Sequence, residues 1–120
     1  WMIYLHNYIG TTSSVMILRS ALMSINGFDT SLKQLQDYDL FLRLDKIGSF
    51  DGINLPLINY NLHLKDAQLS NNWQSLFSSM ITILKKEDFV YIPITFMGLS
   101  IILMQKIKNA VQRWAFEGNI

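Results

Sequence analysis

Residues 26–44 read Asn26-Gly27-Phe28-Asp29-Thr30-Ser31-Leu32-Lys33-Gln34-Leu35-Gln36-Asp37-Tyr38-Asp39-Leu40-Phe41-Leu42-Arg43-Leu44. Asn and Gly tolerate the left-handed backbone that ends a helix, so Asn26-Gly27 is expected to cap a short helix preceding it. Asp29 to Lys33 is polar and reads as a turn. From Leu35 to Ile47 the residues are good helix formers, and Gly48 supplies the stop. The apolar positions of this helix are so frequent that its buried face must be wide.

The two aspartates of this helix have separate tasks. Residues two apart on a helix point about 200° away from each other, so they cannot serve one point in space. Asp39 has Arg43 four residues on, in the favourable acid-then-base order, and is expected to form a structural ion pair with it. Asp37 has no such partner and lies in the first turn, where the helix dipole favours the anion. Standing alone, an Asp there would read as a capping residue.

Outward from this stretch, Thr11 to Leu18 is rich in Thr, Ser, Val and Ile after Gly10, a composition expected of a half-buried strand. Ser20 is expected to cap a short helix, Ala21 to Ile25. Phe50 to Leu62 alternates imperfectly around Pro56, which suggests two short strands or one bent edge strand. Ser70 or Asn71 opens a helix carrying Trp73, Leu76, Phe77, Met80, Ile81 and Leu84 at three-four spacing. A last helix, Ile94 to Phe116, is apolar all round at first and then places Lys106, Lys108 and Arg113 among Ile107, Val111 and Trp114. These readings divide the chain into 1–88 and a helical tail, 89–120.

The 120 residues are 50% hydrophobic with a formal net charge of +1, enough for a core but with no field to gather a polyanion, which argues against nucleic acid. There is no cysteine, which excludes disulfides and thiolate chemistry and agrees with a reducing, cytoplasmic setting. Trp1 to Ile9 has neither an initiator Met in first place nor the order of a signal peptide, and a fragment of a longer chain is expected. Phe89 to Met104 is uncharged but falls short of the ~20 residues of a spanning helix and contains Pro93 and Gly98.

The pattern Gly27-Phe28-Asp29, then Gln36-Asp37-Tyr38-Asp39-Leu40, then an aromatic and Leu42-Arg43, resembles the family 2 glycosyltransferases. The likeness extends upstream through Ser13-Ser14-Val15-Met16-Ile17-Leu18-Arg19 and downstream through Pro56-Leu57 and Tyr60 to His63, over roughly residues 9 to 71. It implies an α/β fold, the acceptor-side C-terminal part of the nucleotide-sugar transferase fold called GT-A, with a short mixed sheet packed against helices and followed by the helical tail. It implies inverting transfer of a sugar from a nucleotide-sugar donor to a hydroxyl of a glycan or lipid-linked glycan, with Asp37 as general base. By the same resemblance Gln36, Gly27, Asp29, Ser13 and Ser14 line the substrate, and His63 approaches the diphosphate or its metal. A divalent ion, Mg or Mn, would neutralise the leaving diphosphate. Asp37-Tyr38-Asp39 also spells a metal-binding Asp-x-Asp, but it follows a polar turn and opens a helix, whereas that motif ends an apolar strand. The main metal ligands are therefore expected outside this chain, which alone should not turn over.

A different class of function, a non-catalytic membrane-associating or protein-interaction module, is suggested by the apolar and then basic tail. The two are compatible, because an interfacial tail at the inner face of a membrane would bring an enzyme to a lipid-linked acceptor. An apolar face left open to dock the nucleotide-binding half would favour self-association.

Overall fold

The computed structural model of the chain describes residues 2–5, 7, 9, 10, 12–59 and 72–117, with the side chains of Met2 and of residues 113–117 outside that description. Among the described residues five α-helices follow in order: α1 (Met2–Leu5), α2 (Arg19–Ser24), α3 (Gln36–Asp45), α4 (Trp73–Lys86) and α5 (Ile92–Glu117), with one 3-10 turn at Thr12–Ser14.

The expected α/β architecture with a short mixed sheet is not what forms: among the described residues there is no strand. The reason lies in the backbone hydrogen bonds. Residues 11–18 were expected to be a strand, yet residues 12–14 coil into the 3-10 turn and Val15 N donates back to Thr12 O. Residues 15–18 follow without regular structure and lie beside no ladder. In the second candidate stretch, Leu55 N donates to Ile53 O and Leu57 N to Leu55 O, both at 2.9 Å. Successive three-residue turns of this kind consume the groups that a ladder would need, and Pro56 has no N–H to offer. Tyr60 to Leu62, the rest of that stretch, lie outside the described residues.

The helices form where their sequence signals stand. Asn26 and Gly27 both adopt positive φ, 59° and 64°, and Gly27 N closes α2 on Leu22 O at 2.9 Å. Gly48 N does the same for α3 on Leu44 O. The cap of α4 is Asn72, its side-chain oxygen accepting from Ser75 N at 3.1 Å, rather than the expected Ser70 or Asn71, which lie outside the described residues. Ser20 is not a cap but lies within α2, which begins one residue earlier after Leu18.

Helix α3 is the centre of the molecule. Tyr38, Asp39, Leu40, Phe41 and Leu42 are buried in succession, so the helix is enclosed rather than laid on a surface. Ile3 and Tyr4 of α1, Leu76, Met80 and Ile83 of α4 and Leu99 of α5 complete the core around it. The Tyr38 hydroxyl donates to Tyr4 O at 2.9 Å. Helix α5 crosses the same spot through Gly98, where an added Cβ would lie 1.7 Å from Tyr4 O and 2.8 Å from the Tyr38 hydroxyl. A glycine there is what permits the close approach of α1 and α5.

Candidate functional site

The N-terminus of α3 is set by a sharp turn of the chain. Leu35 precedes the helix with φ 61° and ψ 23°, a left-handed conformation that costs a non-glycine residue on the order of 1–2 kcal/mol and has to be held by its surroundings. The chain is held there by Gln36, whose side-chain amide donates to Leu32 O at 3.0 Å, and by Asp39 N, which donates to Leu35 O at 2.9 Å.

Asp37 lies in the first turn that follows. One carboxylate oxygen accepts from Tyr38 N at 2.8 Å, which satisfies one of the amides that a helix start leaves without a partner. The side chain is partly exposed, and no ammonium or guanidinium among the described residues pairs with it.

Asp39 has the opposite environment. It is 2% exposed. Its Oδ2 accepts from Arg43 Nε at 2.9 Å and lies 2.7 Å from Arg43 Nη2 as an ion pair, and its Oδ1 accepts from Lys86 Nζ at 2.8 Å. Lys86 also bridges to Asp29, whose other oxygen accepts from Ser31 N at 2.8 Å. Arg43 Nη1 reaches back to Ile25 O at 2.7 Å. Two acids and two bases thus balance within one cluster that ties the end of α2, the 29–33 turn, α3 and the last turn of α4 together. The hydrogen bond from Lys86 holds the Asp29 carboxyl far below the usual range, helped by Ser31. Burial pulls the Lys86 ammonium down, but its hydrogen bonds to Asp29 and Asp39, with their charges, overcome this and raise its pKa.

A second polar node sits nearer the start of α4, along the same face. The buried Gln34 amide donates to Asn72 O at 2.7 Å and to Ser75 Oγ at 2.5 Å, its backbone N donates to Ser79 Oγ at 3.3 Å, and its carbonyl oxygen accepts from Lys106 Nζ at 2.8 Å. Burial lowers the Lys106 pKa. Gln34 and Lys86 did not stand out in the sequence, and Lys106 was read there only as a basic residue of the tail, since their contacts span 38 to 72 positions and no local spacing announces them.

The remaining sequence candidates fall apart in space. Gly27 is the helix cap, Gln36 back-bonds to the turn, and Asp29 is held by Lys86. Ser13 and Ser14 are exposed in the 3-10 turn, where Ser14 Oγ donates to Ile9 O at 3.0 Å. Ser14 borders a cleft of about 590 Å³ between residues 15–18 and 47–52. A smaller cleft of about 230 Å³ lies between Ser31, Lys33 and the Ser75–Ser78–Thr82 side of α4. Asp37 borders neither. His63 lies outside the described residues, as does His6.

No group of three or more carboxylates and imidazoles converges among the described residues. Asp29 and Asp39 are already engaged by an ammonium and a guanidinium, so their oxygens do not offer a donor set for a divalent ion, and Asp37 would be a single ligand. No helix among the described residues is long and apolar enough to cross a membrane. Compared with protein-family models, curated proteins and solved structures, the chain matches none.

Proposed function

We propose that the chain carries the acceptor-side base of an inverting glycosyl transfer, with Asp37 as the group that takes the proton. The observation that supports this is the division of labour on α3: Asp39 is consumed by Arg43 and Lys86, while Asp37, two residues earlier, keeps a partly exposed carboxylate with no cationic partner among the described residues. An unpaired anion at a helix start can accept a proton from a hydroxyl brought within hydrogen-bond reach. It is also the carboxylate that stands in the general-base position of the Gln36-Asp37-Tyr38-Asp39 pattern.

In that reaction the acceptor hydroxyl gives its proton to Asp37 while its oxygen bonds to the anomeric carbon of a nucleotide sugar. The bond from that carbon to the diphosphate breaks from the opposite face, the electron pair leaves with the nucleoside diphosphate, and the configuration inverts. The tyrosine between the two aspartates is not a candidate for this proton transfer, because burial pushes its phenol well above the ordinary range and its hydroxyl is committed to Tyr4 O.

The test is Asp37→Asn in the full-length protein, with nucleoside diphosphate release measured over a panel of nucleotide sugars. The expected result is a loss of roughly 10²–10⁴-fold in turnover, with donor affinity and melting temperature unchanged. Full turnover in Asp37→Asn would remove the assignment, and a lowered melting temperature would return Asp37 to a capping role.

A further inference from the structure

Helix α5 buries one side and leaves the other open. Thr95, Gly98, Leu99 and Lys106 turn inward, whereas Met97, Ile101, Met104 and Val111 are 51%, 39%, 72% and 56% exposed. Their spacing of four, three and seven places them along one face of the helix, about 21 Å from end to end at the helical rise. Lys108 falls on the same face and is exposed. A stripe of this length with an apolar surface toward solvent is uncommon on a protein that has nothing to cover it.

The charges say what the covering surface is. From residue 89 to residue 116 there is no Asp or Glu, while Lys106, Lys108 and Arg113 are present. The outward stripe of α4 is built the same way: Trp73, Phe77 and Ile81 are 41%, 48% and 54% exposed and Lys85 continues the four-residue spacing. No acid stands between residues 72 and 86 either. A second copy of such a face would set cation against cation, so the charge disfavours a like partner and favours an anionic one. The stripe is the outward face of a single helix, which an acyl-chain interface accommodates without shape complementarity.

We infer that the outward face of α5, Met97-Ile101-Met104-Val111 with Lys108, lies in the interface of an anionic lipid bilayer, parallel to its surface. Lys106 is not among the contacts, because Gln34 holds it inside. The helix does not cross the bilayer. This surface stands apart from the sugar-transfer reading and would remain if Asp37 proved to be only a cap.

The experiment is co-sedimentation of the protein with vesicles of phosphatidylcholine alone and of phosphatidylcholine mixed with phosphatidylglycerol, at low and high salt, with sedimentation velocity on the lipid-free protein. Binding is expected to the mixed vesicles only, to fall with salt, and to weaken roughly tenfold in Lys108→Glu and roughly tenfold in Met104→Ser. Lys106→Gln is expected to weaken it by less than about twofold, provided circular dichroism shows the helices intact. Equal binding to both vesicle types, no binding to either, or undiminished binding by Lys108→Glu and Met104→Ser would overturn the inference. So would a tight dimer of the lipid-free protein that Met104→Ser dissociates, since a second copy would then be the occupant.

Discussion

Helices α3 and α5 both send apolar residues into the core, and the fold uses their remaining faces in opposite ways. In α3 five residues in succession are buried, so the acid among them, Asp39, has to be met by Arg43 and Lys86. The twenty-six residues of α5 bury one stripe and present an equally apolar one outward, where Lys108 needs no partner because water reaches it. Apolar residues therefore mark a core in one place and a surface in the other. What separates the two faces is whether the charge among them is buried, as Asp39 is, or reaches water, as Lys108 does.

The largest effect on this contrast should come from Asp39→Ala. It removes the partner of Arg43 and one of the two partners of Lys86 in a site where the carboxylate was 2% exposed; with the arginine and lysine side chains 23% and 34% exposed and Asp29 still on Lys86, the cost lies at the low end for a buried ion pair, about 3 kcal/mol. The melting temperature should fall by roughly 10 °C or more. A change of only a degree or two would mean that solvent reaches the cluster and that α3 is not enclosed.

Gly98→Ala tests the inner stripe of α5. Its Cβ would be placed 1.7 Å from Tyr4 O, a backbone atom, so α5 or α1 has to shift and the Tyr38–Tyr4 hydrogen bond with it. Overpacking of this kind costs about 1–3 kcal/mol. Chemical denaturation should show it, and an unchanged midpoint would deny the α1–α5 crossing.

Smaller again is the pH dependence of the cluster. Asp29 has its folded pKa lowered, so its contribution is present above the unfolded value of ~3.9 and is lost as pH falls below it. Lys86 has its folded pKa raised, so its contribution is complete below ~10.4 and is lost as pH rises past that. Burial, with Glu87 next, pushes the Tyr4 phenol up to about 12, which adds a loss in the same alkaline direction. The Lys86 and Asp29 side chains are 34% and 21% exposed, so their share is screened and of order 1 kcal/mol or less. Melting temperature should be flat from about pH 5 to pH 9 and decline on both sides. In Asp29→Asn the acid decline should be shallower.

Much of the helical framework could be read from residue order. Asn26-Gly27 as a cap, Gly48 as a stop and the three-four repeat of Trp73, Leu76, Phe77, Met80, Ile81 and Leu84 are local signals, and each corresponds to a described element, although Trp73, Phe77 and Ile81 face outward and Ile83, outside that repeat, is buried. The Asp39–Arg43 contact follows in the same way from its i,i+4 spacing. The strands could not be judged locally, because a strand exists only with a neighbour. The β-branched residues near Thr12 and Ile53 favour extended backbone, but local turns took up the backbone groups instead. Lys86, Gln34 and Lys106 belong to the polar nodes through contacts 38 to 72 residues away, which no window of sequence contains.

The smallest effect tests the outer stripe of α5. Met104 is 72% exposed, so in the lipid-free protein its replacement by Ser removes little packing and loses only helix propensity, which for this pair is a few tenths of a kcal/mol. Met104→Ser should therefore melt within about 2 °C of the parent while Gly98→Ala, six residues earlier on the inner stripe, does not. The comparison sharpens in the presence of the mixed vesicles. A ligand that binds only the folded state raises its melting point, so the parent should be stabilised by the lipid and Met104→Ser less so. If Met104→Ser instead destabilised the lipid-free protein as much as Gly98→Ala, the outer stripe would already be covered within the protein, and the distinction between an enclosed α3 and a half-open α5 would fail.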